Sequence, residues 1–467
     1  MADLLLIFLL VPLLGCLFVL FSKKGGYNAF NIAFFMLSSG ILLILKMLSD
    51  VKIGDMDFLY SYPWLKHPNI VFTLGVDTFS LVLLLGVYVS SIIGLVGLSP
   101  DQRANKSLLF LVLYYIWNMS GLLTARDIIS FYLFFAGMQL PLFMLIGWHG
   151  NVKKSATLSL FFLFNFIGSI LLLISILVVY RYNHGSVMLS EIGILNIPEV
   201  PQLVVLGGVC VAFVLRIPIW PLHNWISYIS AGIKNPLIYI LANLLPLTGL
   251  YGFIQFGKVI VPTDLNAFVP VIEVFGVLTM MFIALIGLSH KNFLQKLFSY
   301  STISYLLFLL SKLLLEERYL MNMAYSLFIF LIVNASLAVL ELLAENAREK
   351  SDGDYRGMLI YVPRLAKFFA FFVLIAVGLP ISSLFWNNFV LISAIFRESF
   401  VTGLWVMASI SLIGLALIYE LYIMRDAQNK SIAPYEITDI SDRKLIFFTG
   451  VTIVLFLSFF DPLWFAF

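Results

Sequence analysis

Charged side chains are scarce in this chain. Lys, Arg, Asp and Glu together make up 11% of its 467 residues, whereas hydrophobic residues make up 61%. This composition supplies too little polar surface to cover a soluble globule, so it indicates a protein that crosses a membrane several times. The formal net charge of +3 is too small to favour nucleic acid or an acidic protein as a partner.

The sequence also lacks the motifs of common cofactor sites. The two cysteines, Cys16 and Cys210, lie far apart in apolar segments and fit neither a disulfide framework nor a metal site. The five histidines show no metal-ligand spacing, and there is no glycine-rich phosphate loop or cysteine cluster. We therefore expect no metal or other cofactor in this chain, and any redox chemistry would belong to other subunits.

Long apolar runs are abundant instead. Fourteen are long enough to cross about 30 Å of hydrocarbon as helices. They lie near 4–21, 29–49, 74–98, 107–123, 127–147, 156–180, 202–222, 234–256, 267–289, 297–315, 319–344, 366–391, 401–424 and 444–465. The polar stretches between them are too short to build a core of their own. The sequence predicts an all-α polytopic membrane protein in which residues 1–467 form a single membrane domain.

The distribution of basic residues predicts how these helices are oriented. Loops that follow odd-numbered spans carry eighteen of the 28 Lys and Arg residues, and nine lie on the opposite side. Basic residues accumulate on the cytoplasmic side of membrane proteins. We therefore expect both termini outside the cytoplasm or matrix, as an even number of spans requires.

One permanent charge lies inside an apolar run. The segment AFVLRIPIWPLHNW, residues 212–225, contains Arg216 and is then interrupted by Pro218 and Pro221. A charge in hydrocarbon costs roughly 2.5–3.5 kcal/mol, so it persists only where a cavity, water or a counter-charge receives it. A later run is interrupted by GLP at 378–380. Paired broken helices are typical of inverted-repeat transporters, since broken backbone at membrane depth lines a cavity or is buried in protein.

Five segments of the chain resemble the antiporter-like membrane subunits of respiratory complex I, and the match runs over nearly the whole sequence. They are LYSYPWLKHPNIVFTLGVDTFSLVL (59–83), SGLLTARDIISFYLFFAGMQLPLFMLIG (120–147), AFVLRIPIWPLHNW (212–225), LSHKNFLQKLFSYSTISY (288–305) and VGLPISSLFWNNFVLI (377–392). The tail at 418–444 is most similar to the chain M, or subunit 4, branch. The resemblance implies fourteen helices, with a first inverted repeat at 107–256, a second at 267–424, and broken helices seven and twelve.

The proton path that this resemblance implies is degenerate here. The family has a Glu in the fifth helix, Lys in the seventh and eighth, His in the tenth and eleventh, and a carboxylate or Lys in the twelfth. At these places the chain has Ala136, Arg216, Pro246, Tyr305, Tyr325 and Asn388. Alanine, proline and asparagine cannot titrate, arginine stays charged because its pKa exceeds about 12, and tyrosine titrates near a pKa of about 10.

The residues that remain as proton-path candidates allow two interpretations. These candidates are Arg216, His223, Lys296, Tyr305, Tyr325 and Glu420. Arg216 is either functional or a structural cation bound to carbonyls freed by the prolines, with Glu273, Glu341 and Glu420 as possible counter-charges. His223 either caps the broken helix or meets water. We expect Lys296 to reach toward lipid headgroups and Glu420 to reach solvent.

The resemblance implies a membrane-arm subunit of a proton-translocating NADH:quinone oxidoreductase with impaired or no proton conduction of its own. Its partners would be other complex I membrane subunits, lipid and protons, and the NADH, FMN, iron–sulfur and quinone sites would lie in partner subunits. The location would be a bacterial inner membrane or a mitochondrial inner membrane. Two alternatives remain: a subunit of an Mrp-type cation/proton antiporter, membrane hydrogenase or bicarbonate-uptake complex, and a non-coupling paralogue retained for assembly. Fold alone does not separate them.

Overall fold

The fold is described from a computed structural model, and its described part is helical apart from one small hairpin and short turns, which confirms the predicted all-α class. The structure describes residues 2–22, 28–51, 57–65, 70–150, 154–182, 188, 197–220, 233–260, 265–315, 317–349, 362–425 and 439–459. Within these ranges, twelve helices are long and apolar enough to cross a membrane.

The first half of the chain contains nine helices and two strands among its described residues. They are α1 (Ala2–Phe21), α2 (Asn28–Asp50), β1 (Asp57–Leu65), β2 (Ile70–Val76), α3 (Thr78–Gly97), α4 (Pro100–Arg103), α5 (Lys106–Thr124), α6 (Ile128–Gly137), α7 (Gln139–His149), α8 (Lys154–Tyr182) and α9 (Glu199–Arg216).

The second half continues with helices α10 to α17. They are α10 (Pro236–Ile260), α11 (Leu265–Ser289), α12 (Phe293–Leu314), α13 (Leu320–Glu349), α14 (Pro363–Val377), α15 (Ser383–Glu398), α16 (Phe400–Arg425) and α17 (Asp442–Ser458), with a short 3₁₀ turn at Glu317–Tyr319. Helix α10 is central, because its whole apolar stretch, Pro236–Phe256, is buried inside the protein.

The hairpin β1–β2 was not expected, and it shortens the third predicted span. The two strands pair antiparallel, with Tyr62 opposite Phe72. Asp77 then starts α3: its side chain accepts a hydrogen bond from the Ser80 backbone N–H at 2.8 Å, and the Ser80 hydroxyl lies 3.1 Å from the Asp77 backbone N–H. Such a capping box begins a helix at one defined residue. The apolar residues before Asp77 therefore belong to a strand, although hydropathy assigned them to a helix.

Two of the fourteen predicted spans, 366–391 and 444–465, have no counterpart among the twelve helices that are long and apolar enough to cross a membrane, and the fifth has one only when α6 and α7, which meet at Met138, are taken together. The predicted span 366–391 is divided, because α14 ends at Val377, Gly378 adopts a left-handed conformation with φ 96°, and α15 begins at Ser383. The last predicted span corresponds to α17, which has 17 residues in the described part. The count of fourteen membrane crossings therefore stays a prediction, as do the two inverted repeats. The seventh predicted span ends as a helix at Arg216, and residues 221–232 lie outside the described part.

Packing contacts show the relative direction of two helix pairs. Glu273 and Met281 of α11 contact Thr402 and Ser409 of α16 respectively, so these helices run the same way. Gly86 and Gly97 of α3 likewise lie against Leu331 and Val339 of α13. The predicted topology sends both members of each pair across the membrane in the same direction, since they are odd-numbered spans.

Candidate functional site

Arg216 ends α9 in the interior of the protein, with 1% of its surface exposed. Its Nη2 donates a hydrogen bond to the Phe135 carbonyl oxygen at 2.7 Å, and its guanidinium carbon lies 3.9 Å from the centroid of the Phe135 ring. Its Nη1 has no hydrogen-bond partner among the described residues. Among the described residues no carboxylate forms an ion pair with Arg216. Glu273, Glu341 and Glu420 are therefore not its counter-charge within the described part of the structure.

The carbonyl oxygen that accepts the hydrogen bond from Arg216 belongs to Phe135, the residue before Ala136. Position 136 is the one at which the family has its glutamate. Phe135 lies in the last turn of α6, where carbonyls lack partners within their own helix. Helix α6 ends at Gly137, and α7 begins at Gln139. A backbone dipole and an aromatic face therefore stabilise the guanidinium in place of a negative charge. Neither can accept a proton from Arg216.

A network of uncharged polar groups joins three helices beside this region. Asn243 of α10 donates from Nδ2 to Asn334 Oδ1 of α13 at 2.6 Å, and the same Nδ2 lies 3.1 Å from Ser301 Oγ of α12. Asn334 donates to Ser301 in turn. These residues were missed by sequence reasoning, because asparagine and serine in apolar helices carry no titratable signal.

Two of the sequence-predicted positions lie close to this network. The Tyr305 hydroxyl donates to the Asn243 carbonyl oxygen at 2.8 Å, and Tyr115 donates to the Leu241 carbonyl at 2.9 Å. Pro246 lies inside α10 just beyond these carbonyls, where a proline removes a helical hydrogen bond. The tyrosine hydroxyls thus stabilise backbone around a weakened helical turn. Tyr325 is only partly buried and lies earlier on α13.

Lys296 and Glu420 form a buried ion pair between α12 and α16. Both side chains are 5% exposed, and the Lys296 Nζ lies 5.6 Å from the centroid of the Tyr419 ring. The expectation that Lys296 reaches lipid headgroups is wrong, and so is the expectation that Glu420 reaches solvent. Helix α12 begins at Phe293, four residues before the predicted span, so Lys296 lies in its first turn and turns toward α16.

Asn388 lines a cavity of about 310 Å³ beside the interruption between α14 and α15. Polar groups in its lining include Tyr300, Ser304, Ser393 and Ser411, and apolar side chains supply the remainder. The Oδ1 atom of Asn388 is buried and has no hydrogen-bond partner among the described residues. The position that carries Glu or Lys in the family is thus an uncharged acceptor. His223 lies outside the described residues.

A charged cluster outside the helical spans was also missed. Arg126 is buried and pairs with Asp77 at 3.3 Å, and its Nη1 lies 3.4 Å from the Tyr251 hydroxyl. Burial alone would raise the pKa of Asp77, but Arg126 and Ser80 outweigh it and hold this pKa below its usual value. Burial raises the pKa of the neighbouring Asp127, although Ser130 and nearby backbone N–H groups partly oppose this effect. The cluster attaches the hairpin to the helices, since the Arg126 backbone N–H also donates to the Thr73 carbonyl at 2.9 Å.

This cluster predicts how acid affects stability. We expect Asp77→Asn to lower the free energy of unfolding at neutral pH by about 1.5–3 kcal/mol, the range for a hydrogen bond to a charged group. A carboxyl group whose pKa is lower in the folded state than in the unfolded state stabilises the folded state at pH values above its unfolded-state pKa of about 3.9. This stabilisation is lost as the pH falls through the folded-state pKa. The difference between variant and wild type should therefore shrink below about pH 4 in thermal unfolding scans. Asp101→Asn, at an exposed position, is the control. An equal difference at pH 7 and pH 3 would contradict the prediction.

The sequence is similar to a known protein family and to named members of respiratory complexes. The family model for the transmembrane part of NADH:quinone oxidoreductase and Mrp antiporter proteins matches residues 125–414, more than half of the chain. NADH-quinone oxidoreductase subunit M of Rickettsia prowazekii (strain Madrid E) is 25% identical over 445 residues, covering 92% of this chain and 89% of the relative. NADH-ubiquinone oxidoreductase chain 4 of Arabidopsis thaliana is 24% identical over 455 residues, covering 94% and 90%.

Solved structures show the same fold. A chain of respiratory complex I from Thermus thermophilus with bound NADH has a TM-score of 0.86 at 19% identity, covering 99% of this chain and 96% of that chain. A chain of the membrane-bound sulfane sulfur reductase, an archaeal respiratory membrane complex, has a TM-score of 0.82 at 17% identity, covering 97% and 76%. The family match over most of the membrane helices identifies this chain as a member of the NADH:quinone oxidoreductase/Mrp antiporter transmembrane family.

Proposed function

We propose that this chain is a membrane-arm subunit of a proton-translocating NADH:quinone oxidoreductase, of the subunit M type, with impaired or no proton conduction of its own. The relatives named subunit M and chain 4, each aligned over about nine-tenths of both chains, support the assignment. The contact between Arg216 and the Phe135 carbonyl carries the second part of the proposal. A relay needs a group that can take the proton, and a backbone carbonyl next to an alanine is not one.

The remaining polar groups would hold the helices together without relaying protons. Asn243, Asn334 and Ser301 exchange hydrogen bonds across three helices, and none of them ionises near neutral pH. Arg216 stays charged where a desolvated lysine would release its proton. The subunit would then preserve the scaffold of a translocator and connect neighbouring subunits, while electron transfer and most proton movement occur elsewhere in the assembly.

The proposal implies partners and a location. Other membrane subunits of the oxidoreductase would flank the chain in the bilayer, and partner subunits would hold NADH, FMN, iron–sulfur clusters and quinone. Exposed apolar side chains on α1, α8, α11 and α16 provide surfaces suited to lipid and to neighbouring subunits. The location would be the inner membrane of a bacterium, or the mitochondrial inner membrane if the chain is organellar.

The second candidate function is a subunit of an Mrp-type cation/proton antiporter or a related membrane complex. The family description includes Mrp antiporters, and the fold also occurs in the sulfane sulfur reductase complex. Mass spectrometry of the native complex would distinguish these functions. Flavin and iron–sulfur subunits among its companions support the oxidoreductase, whereas cation-transport proteins alone would overturn it.

Restoring the titratable groups tests the proposed loss of conduction. We expect the triple variant Ala136→Glu, Arg216→Lys and Asn388→Glu to raise the number of protons pumped per NADH in vesicles containing the native complex. A glutamate at position 136 would supply the proton acceptor that the Phe135 carbonyl cannot provide. Arg216→Lys alone is the control and should change nothing. Full family stoichiometry in the wild type, with no gain in the triple variant, would refute the proposal.

A further inference from the structure

The cavity of about 310 Å³ lies where four helices surround the interruption between α14 and α15. Helices α12, α14, α15 and α16 all contribute to its lining. Gly378 is one of the lining residues, and a methyl group built on it would meet no atom within 4 Å, so the broken segment itself faces open space. Sites that hold small molecules have volumes of about 300–1,000 Å³. The interruption therefore provides room for a small ligand.

The cavity opens toward the apolar surface of the protein. Phe389 of α15 and Met407 of α16 both line it, although Phe389 is 57% exposed and Met407 is 54% exposed. Trp386, whose ring centroid lies 6.5 Å from that of Phe389, and Leu404, one turn before Met407, are exposed as well. Helix α16 is long and apolar enough to cross a membrane, and Met407 lies inside it. The opening therefore meets hydrocarbon, and a molecule dissolved in the bilayer can reach the cavity without passing through water.

The polar side chains of the lining offer more hydrogen-bond acceptors than free donors. Ser304, Ser393 and Ser411 each donate the hydroxyl proton to a backbone carbonyl of their own helix, at 3.0, 2.9 and 2.8 Å respectively. Each serine oxygen can still accept a hydrogen bond, and the Tyr300 hydroxyl can donate or accept. The buried Asn388 Oδ1 has no hydrogen-bond partner among the described residues. Because a buried acceptor without a donor is unfavourable, a ligand that donates a hydrogen bond fits this cavity better than one that does not.

The lining also disfavours a charged ligand. The described residues around the cavity include no Lys, Arg, His, Asp or Glu. A charged group would therefore lose its hydration without gaining a counter-charge, which is strongly unfavourable. Water alone fills the cavity poorly, because an ordered buried water requires about two to four polar partners and most of the lining is apolar. The chemistry that fits is an apolar molecule with an uncharged hydrogen-bond donor.

We propose that this cavity binds a neutral, membrane-soluble alcohol, which enters from the bilayer between Phe389 and Met407 and donates a hydrogen bond to the Asn388 Oδ1. The apolar chain of the alcohol packs along Ile392 and Ile410 of the lining. At about 30 Å³ for each water-sized group, the cavity holds roughly ten such groups, the size of an alcohol with about eight to ten carbon atoms or of the hydroxylated end of a larger lipid. This inference goes beyond the proposed function and does not rest on it, since it involves neither electron transfer nor proton conduction.

Photo-labelling of the native complex in lipid vesicles tests this site. The probe is 1-decanol with a photoreactive diazirine in its chain, and labelled residues are identified by mass spectrometry of peptides. We expect labelling of Tyr300 and Ile303 of α12, which line the cavity but are buried from the protein surface. Unlabelled 1-decanol should suppress this labelling about three- to tenfold more effectively than decane at the same mole fraction in the membrane, because decane has no hydroxyl to donate.

Two variants and one control separate the cavity from the protein surface. Ala376→Leu narrows the cavity and should abolish the labelling of Ile303. Ala408→Leu is the matched control, because it makes the same substitution at an exposed position of α16 outside the lining and should leave the labelling unchanged. Asn388→Leu removes the acceptor at a similar side-chain volume. The probe should still enter this variant, but 1-decanol should lose its advantage over decane.

Three results would overturn the proposal. Absence of labelling at Tyr300 and Ile303 in the wild type would show that no molecule enters from the bilayer, as when a neighbouring subunit covers the opening. Equal suppression by decane and 1-decanol in the wild type would show that water or protein already donates to Asn388, and an undiminished advantage of 1-decanol in Asn388→Leu would exclude this acceptor. If Ala376→Leu fails to assemble, the comparison of wild type with Asn388→Leu still decides the question. The labelling requires no electron transport, so its result is independent of which companions the chain has.

Discussion

Glu420→Leu is expected to lower the free energy of unfolding by about 3–5 kcal/mol, because it leaves the Lys296 ammonium buried without a counter-charge. Both side chains are 5% exposed, so water cannot replace the lost carboxylate without opening the α12–α16 interface. The effect is measured as the thermal unfolding midpoint of the chain within its purified complex, together with the amount that assembles.

A double variant separates the charge imbalance from the loss of packing. Lys296→Met with Glu420→Leu replaces both charges by apolar groups, and such replacements are often neutral or stabilising. We therefore expect this variant to recover most of the stability lost in Glu420→Leu. If the double variant is as unstable as the single one, the pair contributes through its shape and not through its charge balance.

Gly249→Ala is expected to destabilise the protein by about 1–3 kcal/mol, the usual cost of overpacking a well-packed interior. A methyl group at Gly249 of α10 would stand 2.7 Å from the Phe213 carbonyl oxygen and 2.9 Å from the Arg216 Cβ. The first of these atoms belongs to the backbone and cannot move aside alone. The end of α9 would therefore shift, and the hydrogen bond from Arg216 to Phe135 would lengthen.

Gly207→Ala provides the matched control for this prediction. Gly207 lies in α9 as well, and a methyl group there would meet no atom within 4 Å. Because alanine favours helix over glycine by about 1 kcal/mol, this variant should be neutral or slightly stabilising. Thermal unfolding midpoints of the two variants provide the measurement. Equal midpoints would show that α9 and α10 adjust freely at this crossing.

Hydropathy and motif patterns predicted twelve of the fourteen spans with small errors at their ends, whereas 366–391 is divided and 444–465 corresponds to a shorter helix in the described part. The third span begins at Thr78 rather than at 74, because the capping box at Asp77 and the pairing of β2 with β1 outweigh the apolar character of the preceding residues. The fifth span is divided at Met138. Local caps and strand pairing determine such boundaries, and a sliding count of apolar residues does not detect them.

The candidate site was predicted only in part. Arg216 was recognised because an arginine in an apolar run is rare, but its acceptor, the Phe135 carbonyl, has no sequence signal, since any residue supplies a carbonyl. Lys296 and Glu420 were each noted and each assigned to the wrong environment. They are far apart in sequence, and only the approach of α12 and α16 brings their charges together.

The sequence by itself determined that this protein is a bundle of membrane-length helices, because runs of about twenty apolar residues are unfavourable in water and long enough to cross the hydrocarbon core. It also determined which positions cannot carry a proton, since titration is a property of the side chain. Tertiary structure alone decided which polar groups meet. The partner of a buried charge depends on how helices distant in sequence pack, and the cost of leaving that charge without a partner makes the packing specific.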